Sequence, residues 1–180
     1  MSRLGKLPVS IPADVTVEVS NNIVTVKGPK ATLTQDYSKN VTVEVKENEV
    51  IVTRNDESKD SNAKQGLYRQ LINNMVVGVS TGFTKSLTVS GVGYKLNKQG
   101  NKLVMNLGLS HPVEIVEVEG ITLECPDNNT ILVKGADKQL VGAVAATIRA
   151  TRPMEPYHGY GIHYASEKVI LKPGKSGKKK

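Results

Sequence analysis

Apolar and polar residues alternate along much of this chain, the pattern of β-strands with one buried face. Every second residue is valine in two runs, residues 15–19 and 41–45. Asn21-Asn22 follows the first run and Glu47-Asn48 follows the second, and both pairs are typical of tight turns. The pattern predicts β-hairpins built from half-buried strands.

The same series of strands occurs twice, at an offset of 80 residues. The alignment needs no gap, and it places residues 23–28 over 103–108, 41–45 over 121–125, and 50–52 over 130–132. Turn-forming residues recur in the second copy, at Lys98–Asn101 and Asp127–Asn129. A register kept over three segments indicates an internal duplication.

Each copy then reaches a segment with helical periodicity that opens on Lys-Gln, at Lys64 and at Lys138. The loop before the first of these helices, near Asn55 to Ala63, is six residues longer than its counterpart. Apolar stripes that could cover a sheet are expected on both helices. Their members are Leu67, Leu71 and Met75 in the first helix, and Leu140 or Val141, Val144 and Ile148 in the second.

These elements predict an α+β fold of two duplicated small domains, each a mostly antiparallel β-sheet packed against one α-helix. The predicted domains are residues 1–82 and 83–171, joined near Ser80 to Lys85. A basic tail, residues 172–180, is polar and rich in glycine. Because such a tail cannot bury apolar surface, we expect it to be disordered unless it is bound.

Positive charge is concentrated at the C-terminus. The chain has 24 Lys plus Arg and 17 Asp plus Glu, a net charge of +7. Residues 168–180 hold six lysines and no acid, which leaves 18 basic and 17 acidic side chains in residues 1–167. An anionic partner such as nucleic acid fits this distribution, and so does a solubilising tail.

Residue types also exclude several classes of protein. The single cysteine, Cys125, excludes an internal disulfide, and its place in the alternation after Ile121 and Leu123 predicts a small buried side chain. Neither the N-terminus nor any other segment has an apolar run typical of a signal peptide or a membrane span. We therefore expect no contact with a membrane, and a protein that stays in the compartment where it is made.

The candidates for catalytic chemistry do not assemble into a site. The three histidines, His111, His158 and His163, have no carboxylates at triad or metal-ligand spacing. The glycine pairs at 91–93 and 159–161 lack the third glycine of a dinucleotide-binding loop. The sequence predicts no enzyme, no cofactor, no metal site and no small-molecule substrate.

The segment from Arg149 to Tyr164 has the composition of an RNA-binding loop. Two arginines close the second helix, where positive charge also complements the helix dipole, and two prolines follow. Half of the six tyrosines then fall within eight residues, interleaved with glycine and histidine. Such rings can stack on bases, and such glycines allow an RNA backbone to approach closely. Rings that pack beneath the sheet would give the same composition.

This segment resembles a known signature. The residues Pro-Met-Glu-Pro-Tyr-His-Gly-Tyr-Gly-Ile-His-Tyr at 153–164 are similar to the C-terminal signature of the L-six family of large-subunit ribosomal proteins. Residues 1–6, 74–79 and 91–95 also resemble that family, in the same order along the chain, and the family shares the duplication. The resemblance implies a 50S component that binds 23S rRNA mainly through its second domain. It further implies other large-subunit proteins as partners and a position near the sarcin-ricin loop, where translational GTPases dock.

The chain differs from the family signature at three positions. His158, Tyr160 and His163 stand where the family usually has lysine, lysine, and arginine or lysine. Histidine is mostly uncharged at pH 7 when it is unperturbed, so up to three formal charges are lost from the loop. We therefore expect the loop to act through stacking and neutral hydrogen bonds, and the lysine tail to supply long-range attraction.

The resemblance and the residue types together predict one set of RNA-binding residues. The predicted set is Tyr94, Lys95, Arg149, Arg152, Tyr157, His158, Gly159, Tyr160, Gly161, His163, Tyr164, Lys168, Lys172, Lys175, Lys178, Lys179 and Lys180. Three other functions share part of the pattern: an RNA-binding or assembly protein that acts outside the mature ribosome, an extracellular β-rich adhesion module, and a hydrolase that uses His158 or His163. The source, bacterial or organellar, stays open.

Overall fold

The computed structural model of the chain describes residues 3–175 and divides them into two compact units. The first unit contains the described residues up to Phe83 together with Ala136–Lys138. The second contains Thr84–Gly135 and the described residues from Gln139 onward.

The first unit has two three-stranded antiparallel sheets and one long helix. After a short 3-10 helix, Leu4–Lys6, its elements are β1 (Val9–Ser10), β2 (Thr16–Ser20), β3 (Ile23–Lys27), β4 (Thr32–Asp36), β5 (Val41–Lys46), β6 (Glu49–Arg54) and α1 (Lys59–Ser80). The sheet orders are β2-β3-β4 and β1-β6-β5. Asn21 and Asn22 have φ values of 49° and 62°, as a two-residue hairpin turn requires, so the turn predicted there is confirmed.

The second unit repeats this arrangement and adds one strand. Its elements are β7 (Phe83–Ser90), β8 (Lys95–Gln99), β9 (Lys102–Asn106), β10 (Val113–Val116), β11 (Ile121–Asp127), β12 (Thr130–Gly135), α2 (Lys138–Thr151) and β13 (Gly161–Tyr164). The order β10-β9-β8 matches β4-β3-β2, and β11-β12-β7 matches β5-β6-β1. The predicted α+β class and the duplication are confirmed. Among the described residues, β13 is the element without a counterpart in the first unit.

The predicted stripe on α1 is displaced from the face that the helix buries. Ile72, Met75, Val76 and Val79 are buried, whereas Leu67 is 53% exposed. A series of steps of four residues drifts by about 40° per step on a helix with 3.6 residues per turn. The line from Leu67 to Met75 therefore winds around the helix, from an exposed side chain at Leu67 through the half-buried Leu71 to the buried Met75. In α2 the buried residues are Val141, Ala145 and Ile148, so Val141 rather than Leu140 faces the core, and Val144 is half-buried.

Helix α1 also begins earlier than predicted, at Lys59 instead of Lys64. Ser58 has an extended backbone, and its hydroxyl accepts a hydrogen bond from the backbone N–H of Ser61 at 3.1 Å. This is an N-cap, which satisfies one of the free N–H groups at the start of a helix. Most of the long loop predicted between Asn55 and Ala63 is thus the first turn of α1.

Cys125 is half-buried rather than enclosed in the core. The alternation that predicted its burial holds at Ile121 and Leu123, but the pairing of β11 with β12 shifts register between Glu124 and Asp127. Such a bulge changes which face the following side chains occupy. Partial burial nevertheless raises the pKa of the Cys125 thiol, because the thiolate is poorly solvated there.

Replacing Ser58 with alanine should lower the free energy of unfolding by about 1 kcal/mol, since it removes the cap of α1. The measurement is urea unfolding of the wild-type and variant proteins. Ser58→Thr is the control, because it keeps a hydroxyl that can accept the Ser61 N–H bond and should lose less. Equal stability of Ser58→Ala and the wild type would show that the cap contributes nothing.

Candidate RNA-binding surface

The predicted RNA-binding segment lies on the strand that distinguishes the second unit. After α2 ends at Thr151, residues 152–160 form a loop, and the chain returns as β13. Strand β13 pairs antiparallel with β7, with Gly161 opposite Ser90 and Tyr164 opposite Leu87. It is the outermost strand of the order β11-β12-β7-β13. The loop is therefore anchored at one end by a helix and at the other by a sheet.

Backbone hydrogen bonds close the loop on itself. The N–H of Glu155 donates to the carbonyl of Tyr160 at 2.8 Å, and the N–H of Gly159 donates to the carbonyl of Glu155 at 3.2 Å. At the base of the loop the N–H of Ile162 donates to the carbonyl of Arg152 at 2.8 Å. These bonds define the position of the side chains that the loop carries.

Two predicted glycines are required by the loop's geometry. Gly159 has a φ of 74°, which disfavours other residue types, and a side chain there would also contact Leu171. A Cβ at Gly161 would lie 2.6 Å from the Cα of Met154, a distance that backbone atoms cannot accommodate. Both glycines therefore serve the fold of the loop, whatever it binds.

The aromatic side chains of the loop face solvent. His158 and Tyr160 are stacked, with ring centroids 5.6 Å apart and an angle of 21° between the planes. Tyr157 is 53% exposed and Tyr160 is 40% exposed, so neither ring packs beneath the sheet. The Nδ1 atom of His158 lies 3.0 Å from a carboxylate oxygen of Glu155. The loop thus presents aromatic faces on which a base could stack.

Arg149 and Tyr164, by contrast, take part in contacts within the unit. The Arg149 guanidinium forms two hydrogen bonds with the Glu167 carboxylate, at 2.6 and 3.0 Å. It also lies 5.7 Å from the centre of the Tyr164 ring, and the Lys85 ammonium lies at the same distance. Hydrogen bonds from Arg149, followed by one from the Tyr164 N–H, hold the pKa of Glu167 below its usual range.

Glu167 was not among the residues singled out in the sequence. The Tyr164 N–H lies on the outer edge of β13. It donates a hydrogen bond to the carboxylate of Glu167, which takes the place of a carbonyl on a neighbouring strand. Lone charged residues after a strand carry no signal for such a role, so only the contacts show it. Arg149 is therefore primarily a residue that fastens the end of α2 to the exit of β13.

Four other predicted basic residues lie in the loop or in the C-terminal segment that follows β13. Arg152 is half-buried, and Lys168, Lys172 and Lys175 are exposed. The backbone N–H of Lys172 donates to the carbonyl of Pro156 at 2.8 Å, so the start of the predicted tail is held against the loop. Lys178, Lys179 and Lys180 lie outside the described residues.

Tyr94 lies on the turn between β7 and β8, and Lys95 begins β8. The Tyr94 ring is half-buried and packs over the backbone of Gly91 and Gly108, where added Cβ atoms would lie 2.4 and 3.1 Å from the ring. Lys95 is exposed at the first position of β8. Tyr94 therefore has a packing role, and Lys95 is accessible to a ligand.

A groove runs between the loop and the C-terminal segment. This loop groove has a volume of about 350 Å³ and is lined by Ser90, Gly91, Met154, His158, Gly159, Tyr160, His163, Val169 and Leu171. Sequence reasoning missed Met154, Val169 and Leu171 as members of the surface. A short apolar run between Lys168 and Lys172, in a polar part of the chain, was the signal available.

Two classes of site are absent from the part of the chain that the structure describes. Within residues 3–175, no three His, Cys, Asp or Glu side chains are grouped as ligands of a metal ion would be. No helix in the same residues is long and apolar enough to cross a membrane.

Comparison with known proteins identifies the family. A family model described as Ribosomal protein L6 matches this chain twice, over residues 11–82 and again over residues 90–165. The two matches follow the two copies of the duplicated fold and together include most of the chain. The chain belongs to the ribosomal protein L6 family.

Individual members of the L6 family agree with this assignment over their whole length. A relative from Clostridium kluyveri is 55% identical, across 99% of this chain and 100% of its own. Relatives from Desulfitobacterium hafniense and Clostridioides difficile are each 53% identical, over 98% and 100% of their lengths. All three are named large ribosomal subunit protein uL6.

Membership of the L6 family confirms two expectations drawn from the sequence. The resemblance stated on residues 153–164 is correct, and the protein is not an enzyme, since the L6 family is structural and non-enzymatic. The hydrolase and adhesion-module alternatives are therefore wrong.

Glu167→Gln should destabilise the protein by roughly 1 kcal/mol at pH 7, since it weakens the bidentate pair with Arg149. Because the pKa of Glu167 is lowered in the folded state, its carboxylate stabilises the fold at pH values above the unfolded-state pKa of a glutamate, about 4.3. This stabilisation is lost as the pH falls through the lower, folded-state pKa. Urea unfolding of both proteins, from pH 7 down to about pH 3, measures the difference.

Glu114→Gln serves as the control for this prediction. The carboxylate of Glu114 pairs with Lys102, and both side chains are more than half exposed, so its loss should have a smaller effect. A difference between the wild type and Glu167→Gln that stays constant across the pH range would contradict the proposed role of the charge.

Proposed function

We propose that this L6-family protein is a structural constituent of the large ribosomal subunit of the cytoplasmic ribosome, and that it binds 23S rRNA mainly through its second unit. Membership of the family supports the coarser part, a structural protein of the large subunit. The finer part includes a position near the sarcin-ricin loop and the docking region of translational GTPases, with other large-subunit proteins as neighbours.

The observation that carries the proposal is the exposed face of the loop. Residues 152–160 are fixed by backbone hydrogen bonds, and they present Tyr157 and the stacked pair His158 and Tyr160 to solvent. Preorganised aromatic faces bind bases without first losing side-chain freedom. A surface that served only to pack the unit would have no reason to keep these rings exposed.

Charge in the second unit favours the same face. Within this unit, residues 84–135 and 139–167 hold seven basic and seven acidic side chains, and several of the lysines on its sheets are paired. Lys98 pairs with Glu117, Lys102 with Glu114 and Lys134 with Glu124. Among the described residues, no ion pair is seen for the exposed Lys168, Lys172 or Lys175. The C-terminal segment that follows the loop therefore carries three cations available to phosphates, in addition to the exposed Lys95.

Replacing both Tyr157 and Tyr160 with alanine should weaken binding to 23S rRNA at every salt concentration. Each lost base stack is expected to reduce the binding free energy by on the order of 1 to 3 kcal/mol. The measurement is filter binding of the full chain to transcribed 23S rRNA between about 50 and 300 mM salt.

Two controls accompany the tyrosine variant. Tyr157→Phe with Tyr160→Phe keeps the aromatic faces and should bind like the wild type. The wild-type protein should also sediment with 50S particles through a high-salt sucrose gradient, and its release from the particles would favour a protein that acts outside the mature ribosome. Unchanged affinity of the alanine variant would contradict the proposal that the two rings stack on bases.

Removing Lys175–Lys180 should instead flatten the dependence of RNA affinity on salt. Each phosphate contact that is lost reduces the slope of log K against log salt by about 0.7 to 0.9. A chain of the same length, with its four lysines in that segment replaced by serine, separates the loss of charge from the loss of length. A slope identical to that of the wild type would contradict the proposed electrostatic role of the tail.

A further inference from the structure

We infer that the loop groove is a binding pocket for a single unstacked nucleobase of the RNA. The inference rests on the proposed function, because it names the RNA element that the surface recognises. The groove opens to solvent beside the exposed rings of the loop, so a nucleotide that stacks on the loop has the groove next to it.

The walls of the loop groove suit the flat faces of a base. Met154, Val169 and Leu171 line it with apolar surface, and Tyr160 and His158 stand as a stacked pair at its side. Bases that are turned out of a helix are commonly held between apolar and aromatic side chains in this way. The volume of about 350 Å³ is sufficient for one ring system and not for a stack of paired bases.

The groove also contains polar groups for the edge of a base. The imidazole of His163 lines it, and the Nδ1 atom of that ring is buried without a hydrogen-bond partner in the described part of the chain. A buried nitrogen without a partner is unfavourable. A half-turn of the ring about its Cβ–Cγ bond exchanges the positions of Nδ1 and Cδ2, so the same ring outline can present a nitrogen to either side. The hydroxyl-bearing Ser90 lies in the same lining.

These polar groups favour a base over an apolar side chain from a neighbouring protein. An inserted leucine or phenylalanine would fill the groove but would offer no hydrogen-bond partner to the imidazole of His163 or the hydroxyl of Ser90. The edge of a nucleobase carries both donors and acceptors, and it can pair with the imidazole. The groove therefore matches an occupant with apolar faces and a polar rim.

The C-terminal segment places charge where the phosphates of such a nucleotide would lie. Val169 and Leu171 line the groove, and Leu171 is also 51% exposed to solvent. Lys168, Ile170 and Lys172 are exposed and are not part of the lining. This alternation is what an extended chain produces. Two cations therefore flank the groove-lining residues, as charge complementarity with an inserted nucleotide requires.

Neighbouring residues provide a matched pair of variants to test the inference. Leu171→Trp fills the groove with an indole ring, whereas Ile170→Trp adds the same ring one residue away, at a side chain that is 79% exposed. Leu171→Trp should weaken binding to transcribed 23S rRNA by about tenfold or more, in line with the loss of one stacked base. Ile170→Trp should stay within about twofold of the wild type.

Chemical probing of the same complexes identifies the base. Reagents that modify the Watson–Crick edges of unpaired bases should find one base that is protected by the wild type and by Ile170→Trp, and reactive with Leu171→Trp. Val169→Phe, which fills the groove from its other apolar wall, should expose the same base. Thermal unfolding of each variant establishes that it is folded, and the second blocking variant decides the result if Leu171→Trp unfolds.

The possible results separate this inference from the proposed function. Full affinity and unchanged protection with both blocking variants would overturn the base pocket and leave RNA binding by the second unit intact. Weaker binding of both blocking variants without a newly reactive base would also overturn it, since the groove would then contribute by another contact. A wild-type protein without affinity for 23S rRNA would contradict the proposed function and, with it, the inference.

Discussion

The antiparallel pairing of β13 with β7 is the interaction on which the candidate surface depends. In its described residues the first unit has no such strand, although its strand order is repeated in the second. Pairing with β7 satisfies one edge of β13, and the carbonyl of Arg152 and the carboxylate of Glu167 accept N–H groups on the other. With both edges occupied, β13 is fixed, and the loop that precedes it is held in one conformation.

Two kinds of residue share this surface. The first kind holds the loop in place. Arg149 does so through an ion pair, Gly161 through a close backbone approach and Tyr164 through ring contacts. Tyr157 and Tyr160 extend from the loop into solvent. In the proposed function, preorganisation of the first kind would let the second bind without a large loss of conformational entropy. A list of RNA-binding residues by type alone combines these two roles.

The positions of the strands could be predicted from the sequence, whereas the start and the buried face of α1 could not. Alternation located the strands because their side chains point to opposite faces in turn. The start of α1 was missed because the helix was located by its apolar periodicity, and the single hydrogen bond of the Ser58 cap leaves no mark in that pattern. The stripe from Leu67 was misplaced because several lines of apolar residues on a helix satisfy the same period, and only packing selects one, here the line through Ile72 and Val79.

The sequence by itself determined the fold class, the duplication, the family resemblance and the segment in which tyrosine, histidine and arginine side chains are concentrated. Each of these follows from periodicity or from residue type, which are local properties of the chain. Only the tertiary structure decided that Arg149 is bound by Glu167 and that Val169 and Leu171 return to form a groove beside His163. Such contacts join residues that are separated along the chain, and no local pattern records which of the possible partners is selected once the backbone has folded.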